Sequence, residues 1–201
     1  TFSKFVDMWN PRNSRHPTTV LKVFTTTYGD DVALKMFLEN ANSPVATKLK
    51  NEMVKNWEVA LEHPANVFTL LELDKAGDNL FSSPLLKTWV QYLKTFNEES
   101  KYGKTTMIKT FSTSYGDEKL ATMLEAAKKV PDTEQFAKNL QAAQFNQWMV
   151  EKKTPKDMLS ILKLKTEDLH FFNEKNPMVD VWRAYNKAYG TKVDTSFAFQ
   201  P

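Results

Sequence analysis

The side chains able to do chemistry in this chain are few, and their spacing limits what they could do. Histidine occurs three times, as His16, His63 and His170, and cysteine is absent. A zinc site needs His, Cys or carboxylate ligands repeated at turn or helix spacing, and none of the three histidines has a His or carboxylate so placed in a convincing motif. The lack of cysteine removes thiolate nucleophiles, disulfides and Cys-based metal sites together. Neither a Gly-x-Ser-x-Gly elbow nor a glycine-rich phosphate loop occurs. The carboxylates that recur are Asp30-Asp31 and Asp117-Glu118, each directly after a glycine. At a helix start such a pair meets the positive end of the helix dipole, a stabilisation of a few tenths to about 1 kcal/mol. They read as capping devices. The expectation is a chain with no catalytic residue, no cofactor and no metal.

Charge points the same way. The 27 basic residues include only three arginines (Arg12, Arg15, Arg183), and the net charge is +3. A nucleic-acid binder more often concentrates Arg and Lys in a stripe. Direct RNA binding by a lysine-rich surface is therefore the weaker alternative to protein binding. Lys48, Lys50, Asn51 and Lys55 do not fit the core face of their helix and are the candidate partner-surface positions, although a solvated face has the same pattern. Residues Phe68-Thr-Leu-Leu71 match the letters of an autophagy-receptor peptide, but they lie on a core-facing helix.

The elements that carry these residues are copied. Residues 18–31 return as residues 105–118, an offset of 87 with eight of fourteen positions identical. Trp57, Pro64, Phe68, Leu71 and Leu73 return as Trp148, Pro155, Leu159, Leu162 and Leu164, an offset of 91. Pro84, Trp89, Tyr92 and Phe96 return as Pro177, Trp182, Tyr185 and Tyr189, an offset of 93. The first slip of four residues is about one helical turn, which keeps an apolar face in place; the second falls in a polar stretch where a loop absorbs it. A partial copy, Phe2-x-x-Phe5-x-x-x-Trp9-Asn10, echoes Trp89-x-x-Tyr92-x-x-x-Phe96-Asn97. Repeats of this length signify stacked supersecondary units.

Each unit reads as about five helices, and no segment alternates as a strand does. In the second unit the helices are expected over 104–114, 118–129 and 131–152, then a short one from Pro155 to Leu162. A loop of about a dozen residues follows, ahead of a last helix from Pro177. The fold class is all-α, with tandem bundles stacked as a linear array. The expected divisions are 1–16 as the last-helix remnant of a preceding unit, 17–103 and 104–192 as complete units, and 193–201 as a tail. Trp57, Tyr92, Trp148, Tyr185, Trp89 and Trp182 are assigned to the core, since aromatics at helical spacing are usually packing. Phe5, Trp9, Phe96 and Tyr189 are candidates for the joint between units. With 41% hydrophobic and 25% charged residues the composition is that of an ordinary globular protein, and no apolar run reaches the length of a membrane span.

The Trp57, Pro64, Pro84, Trp89 and Tyr92 motifs and their copies resemble the WY fold of oomycete RXLR effectors, specifically the tandem variant with Leu, Trp and Tyr motifs (LWY repeats). The resemblance covers nearly the whole chain to about Lys192. No Arg-x-Leu-Arg motif is present, so export is implied by the resemblance alone. It implies a secreted virulence effector that acts in the plant cell cytoplasm or nucleus, is not an enzyme, and binds a host protein to suppress immunity. The scaffold subunit of protein phosphatase 2A is one such partner, and homodimerisation is another property the family implies.

Overall fold

The computed structural model describes residues 2–101, 103–169 and 176–197. His170, Phe199 and the side chain of Phe197 lie outside the described residues. Among the described residues there is no strand; the chain is α-helical with short 3-10 turns. It divides into two compact units, Thr1–Thr106 and Met107–Pro201.

Unit 1 contains α1 (Phe2–Trp9), α2 (Val20–Tyr28), α3 (Asp30–Glu39), α4 (Pro44–Val59), α5 (Pro64–Leu70) and α6 (Pro84–Glu99). Unit 2 contains α7 (Met107–Tyr115), α8 (Asp117–Ala127), α9 (Pro131–Val150), α10 (Pro155–Ile161) and α11 (Pro177–Phe197). The helix starts are written locally. Ser43 and Ser83 accept from Ala46 N and Leu85 N, each just ahead of a proline in the first turn. Thr154 and Asp157 form a capping box at α10. Between α2 and α3, and again between α7 and α8, a glycine with positive φ (85° at Gly29, 78° at Gly116) lets one helix end and the next begin without an intervening loop.

Three details differ from the sequence expectation. The stretches before the last helices are not featureless: Leu73–Lys75 and Gly77–Ser82 in unit 1, and Thr166–Leu169 in unit 2, wind into 3-10 turns. The helix expected over 104–114 starts at Met107, and Asn97 ties down Thr105 just ahead of it. Its Nδ2 donates to the Thr105 carbonyl at 2.8 Å and its Oδ1 accepts from Thr105 N at 2.9 Å. The same clasp joins Asn10 to Thr18 at 3.0 and 2.8 Å. Finally, α11 runs on to Phe197, past the boundary drawn at 192.

Helices α4 and α9 each end with a non-glycine residue in left-handed conformation, Leu61 (φ 50°) and Lys152 (φ 59°). The following amides, Glu62 N and Lys153 N, reach back to the Trp57 and Trp148 carbonyls at 2.9 Å in both cases. This is a Schellman turn. It presents the carbonyls of Glu62 and Lys153 inward, where the tyrosine hydroxyls of α6 and α11 meet them.

Candidate protein-interaction surface

The core of each unit is a set of rings tied to backbone. Tyr92 Oη donates to the Glu62 carbonyl at 2.5 Å, with the Trp57 carbonyl at 3.2 Å, and Tyr185 Oη donates to the Lys153 carbonyl at 2.5 Å. Trp89 Nε1 donates to Pro64 O and Trp182 Nε1 to Pro155 O, both at 2.7 Å. The Trp57 and Tyr92 rings meet edge to face at 5.6 Å, and Trp148 and Tyr185 at 5.3 Å. Burial raises both tyrosine hydroxyls, to about 12. Trp57, Trp89, Tyr92, Trp148 and Tyr185 are all buried. Trp182 departs from its core assignment and is half-buried: it keeps its hydrogen bond at the rim of the packed cluster rather than inside it.

The recurring acidic pairs do more than cap. Asp30, at the first position of α3, is raised in pKa by burial, partly offset by a hydrogen bond with Trp57. In unit 2, Asp117 Oδ2 instead takes Lys153 Nζ at 2.8 Å. Burial works to lower the pKa of Lys153, but Asp117 and Glu151 outweigh it and the net direction is up. His63 caps α5, with Nδ1 accepting from Ala65 N at 3.2 Å, and lies edge to face on Phe96 at 5.6 Å. His16 is exposed. Among the described residues no three His, Asp or Glu side chains converge as metal ligands.

Phe96 also lies against Tyr92 at 6.3 Å within unit 1, and Tyr189 against Tyr185 at 6.0 Å within unit 2. Phe5 and Trp9 stack on each other at 5.6 Å and stay 47% and 41% exposed.

The surface candidates converge on α4. Lys48, Asn51 and Lys55 line a shallow face of that helix beside Thr47 and Glu52. Lys50, Asn51, Val54 and Lys55 line one side of a second groove, of about 500 Å³, whose other side is Lys87, Thr88 and Gln91 of α6. Only Lys55 is paired, to Glu58 at 3.1 Å; among the described residues no carboxylate is within salt-bridge distance of Lys48, Lys50 or Lys87. Val54 and Thr88 form a half-buried floor.

Val54, Lys87 and Gln91 were not singled out from the sequence. The signal that finds them is the repeat itself. At the offsets of 91 and 93, Lys48, Lys50, Lys55 and Lys87 become Asn139, Gln141, Asn146 and Asp180, so no lysine survives. Val54 becomes Phe145, whose ring lies 5.5 Å from Trp148 and 5.4 Å from Tyr185, and Thr88 becomes the buried Val181. The groove is open and basic in unit 1, and unit 2 buries a phenylalanine and a valine at the two floor positions.

Comparison with known proteins places the chain. The sequence model described as "Effector PexRD54, WY-domain" matches residues 52–93, which run from α4 through the tyrosine helix. "RxLR effector protein PSR2" of Phytophthora sojae is 32% identical over 192 residues, covering 94% of this chain. The protein of the same name from Phytophthora infestans is 30% identical over 90% of it. The crystal structure of PcRxLR12 superposes with a TM-score of 0.63 at 29% identity, over 94% of this chain and 47% of that one. The chain belongs to the WY-domain RxLR effectors of oomycetes. It spans 28% of the length of the Phytophthora sojae relative and 24% of the Phytophthora infestans one. Effectors of this family are secreted and act in host cells. Among the described residues no helix is long and apolar enough to cross a membrane.

Proposed function

We propose that this chain is a non-enzymatic adaptor module that binds a host protein inside the plant cell, in cytoplasm or nucleus, and so suppresses immunity. The scaffold subunit of protein phosphatase 2A is the first partner to test. The observation that carries the reading is the divergence between copies. The ring-to-backbone ties to Glu62 and Pro64 in unit 1 and to Lys153 and Pro155 in unit 2 are equivalent, while the α4–α6 face of unit 1 has four lysines that are absent at the matching positions of unit 2. Scaffold is shared and surface is not, as expected of a repeat protein whose rigid helical face is its working part. Glu52 and Glu58 stand among the lysines, which weighs against phosphate backbone as the ligand.

The test is retention of host proteins from plant extract on the immobilised chain, read by mass spectrometry, followed by direct titration with the purified phosphatase scaffold subunit. Saturable binding of that subunit is the expected result. Retention of a different host protein would move the partner, and retention of none above background would sink the adaptor reading.

A further inference from the structure

The α4–α6 groove has three properties that together describe its occupant. It lies between two helices and is lined by residues 50–58 of α4 and 87–91 of α6, about two turns along α4, which seats about two turns of a third helix. Its floor is Val54 and Thr88, half-buried and uncovered. Its rim holds Lys50, Lys55 and Lys87, with a single carboxylate, Glu58, engaged by Lys55 at 3.1 Å.

Unit 2 shows what the floor accepts. There Phe145 stands in place of Val54, only 8% exposed and in ring contact with Trp148 and Tyr185. In unit 1 the smaller Val54 stands there, half-buried at the floor of the groove. The loss of the ring and the gain of unpaired lysines coincide on the same face of the same unit. A solvated face would account for the lysines but not for the exchange of phenylalanine for valine at the floor, and a core substitution alone would account for the floor but not for the lysines.

We infer that the α4–α6 groove of unit 1 receives an acidic amphipathic helix of a protein partner, which seats a bulky apolar side chain over Val54 and sets carboxylates against Lys50, Lys55 and Lys87. The inference rests on the adaptor reading and names the chemistry of its partner. An RNA backbone is the poorer occupant, because it has no group for an apolar floor and meets the Glu58 charge at the rim. Long lysine stems shield the floor from water while their ammonium groups select the charge of what enters.

The experiment uses the full chain as bait for a phage-displayed library of 16-residue amphipathic helices. Val54→Phe and the triple variant K50Q/K55N/K87D, which import the residues of unit 2, serve as counter-targets. Enriched peptides are then measured by fluorescence anisotropy across a salt series, with thermal melts confirming that both variants fold. The expected peptides carry Asp or Glu together with one large apolar anchor. Each variant should weaken them by about tenfold or more, and the salt dependence should shrink in the triple variant. No enrichment, enrichment of sequences lacking acidic residues, or equal affinity for Val54→Phe would each overturn the inference. So would a short RNA duplex that binds through the same lysines and is indifferent to Val54→Phe. A host protein retained equally by wild type and both variants would leave the adaptor reading standing and remove this one. Selection of acidic helices without any host protein retained would do the reverse.

Discussion

Unit 1 and unit 2 carry the same tyrosine tie and the same tryptophan tie, yet the residues around those ties have diverged in opposite directions. Tyr92 donates to the carbonyl of Glu62 and Tyr185 to that of Lys153, residues of opposite charge at equivalent positions. The acceptor is backbone in both, so the side chain there is free to change. The same holds for Pro64 and Pro155. Where the partner is a side chain, the units part. Trp57 hydrogen-bonds with Asp30, whereas Trp148 Nε1 and Asp117 Oδ1 are buried without a hydrogen-bond partner among the described protein atoms. Buried Met53 of unit 1 is Gln144 in unit 2, whose Nε2 donates to the Asp117 carbonyl at 3.1 Å while Oε1 is left unpaired. Unit 1 has the cleaner interior and the open surface groove; unit 2 has the filled groove and the costlier interior.

The strongest way to break this comparison is to remove the central rings one unit at a time. Trp57→Ala and Trp148→Ala should each cost about 3–5 kcal/mol, read as lost hydrogen-exchange protection in the unit concerned. A change within about 0.5 kcal/mol at either would mean that the ring is not central. Among the outer tryptophans, Trp89→Ala should approach the same loss and half-buried Trp182→Ala should cost about half as much. Equal losses would show that the shared indole hydrogen bond, rather than burial, sets their value.

Exchanging the interior difference sharpens the comparison further. Met53→Gln places an amide against apolar neighbours in unit 1 and should destabilise it by about 2 kcal/mol. Gln144→Met removes the unpaired Oε1 at the loss of one hydrogen bond and should stabilise unit 2 by about 1 kcal/mol. Destabilisation by both would mean that the Gln144–Asp117 bond is worth more than the unpaired oxygen costs.

Alkali tests the ties directly. With Tyr92 and Tyr185 raised from 10.0 to about 12, folding favours the protonated hydroxyls. Their contribution is fully present below pH about 10 and is lost as pH rises through about 12. Ultraviolet titration should show two tyrosines ionising late, one removed by Tyr92→Phe and the other by Tyr185→Phe. If either variant leaves both late transitions in place, the tie in that unit is misassigned.

The smallest expected effect is at the Schellman turns. Leu61→Gly and Lys152→Gly relieve left-handed strain and should each stabilise by about 0.5–1 kcal/mol in denaturant titrations. A loss at Leu61 alone would show that its half-exposed side chain packs usefully.

Much of the fold was legible because repetition filters noise. The helix starts at Pro64, Pro131, Pro155 and Pro177 follow from proline in the first turn, and the Gly29 and Gly116 breaks from their shared Tyr-Gly-Asp context. The 3-10 turns were not legible, since neither follows a local apolar period: Gly77–Ser82 buries Leu80, and Thr166–Leu169 is held by Asp168 Oδ2, which accepts from Lys165 N at 2.8 Å. Of the candidate surface, Lys48, Lys50, Asn51 and Lys55 could be picked as off-core positions on one helix. Lys87 and Gln91 could not, because their membership depends on α6 lying beside α4.

By itself, then, the sequence determined what is local or repeated: helix limits set by caps and prolines, the order of the units, and which rings enter a core. These follow from backbone geometry and apolar periodicity, which act within a few turns of chain. Only the tertiary structure decided which carbonyls the tyrosines and tryptophans meet, that Trp182 stops at the rim, and that Val54 lies at the bottom of a basic groove where unit 2 has Phe145. Each of these depends on two helices brought together by burial, and the sequence of either helix alone does not contain the other.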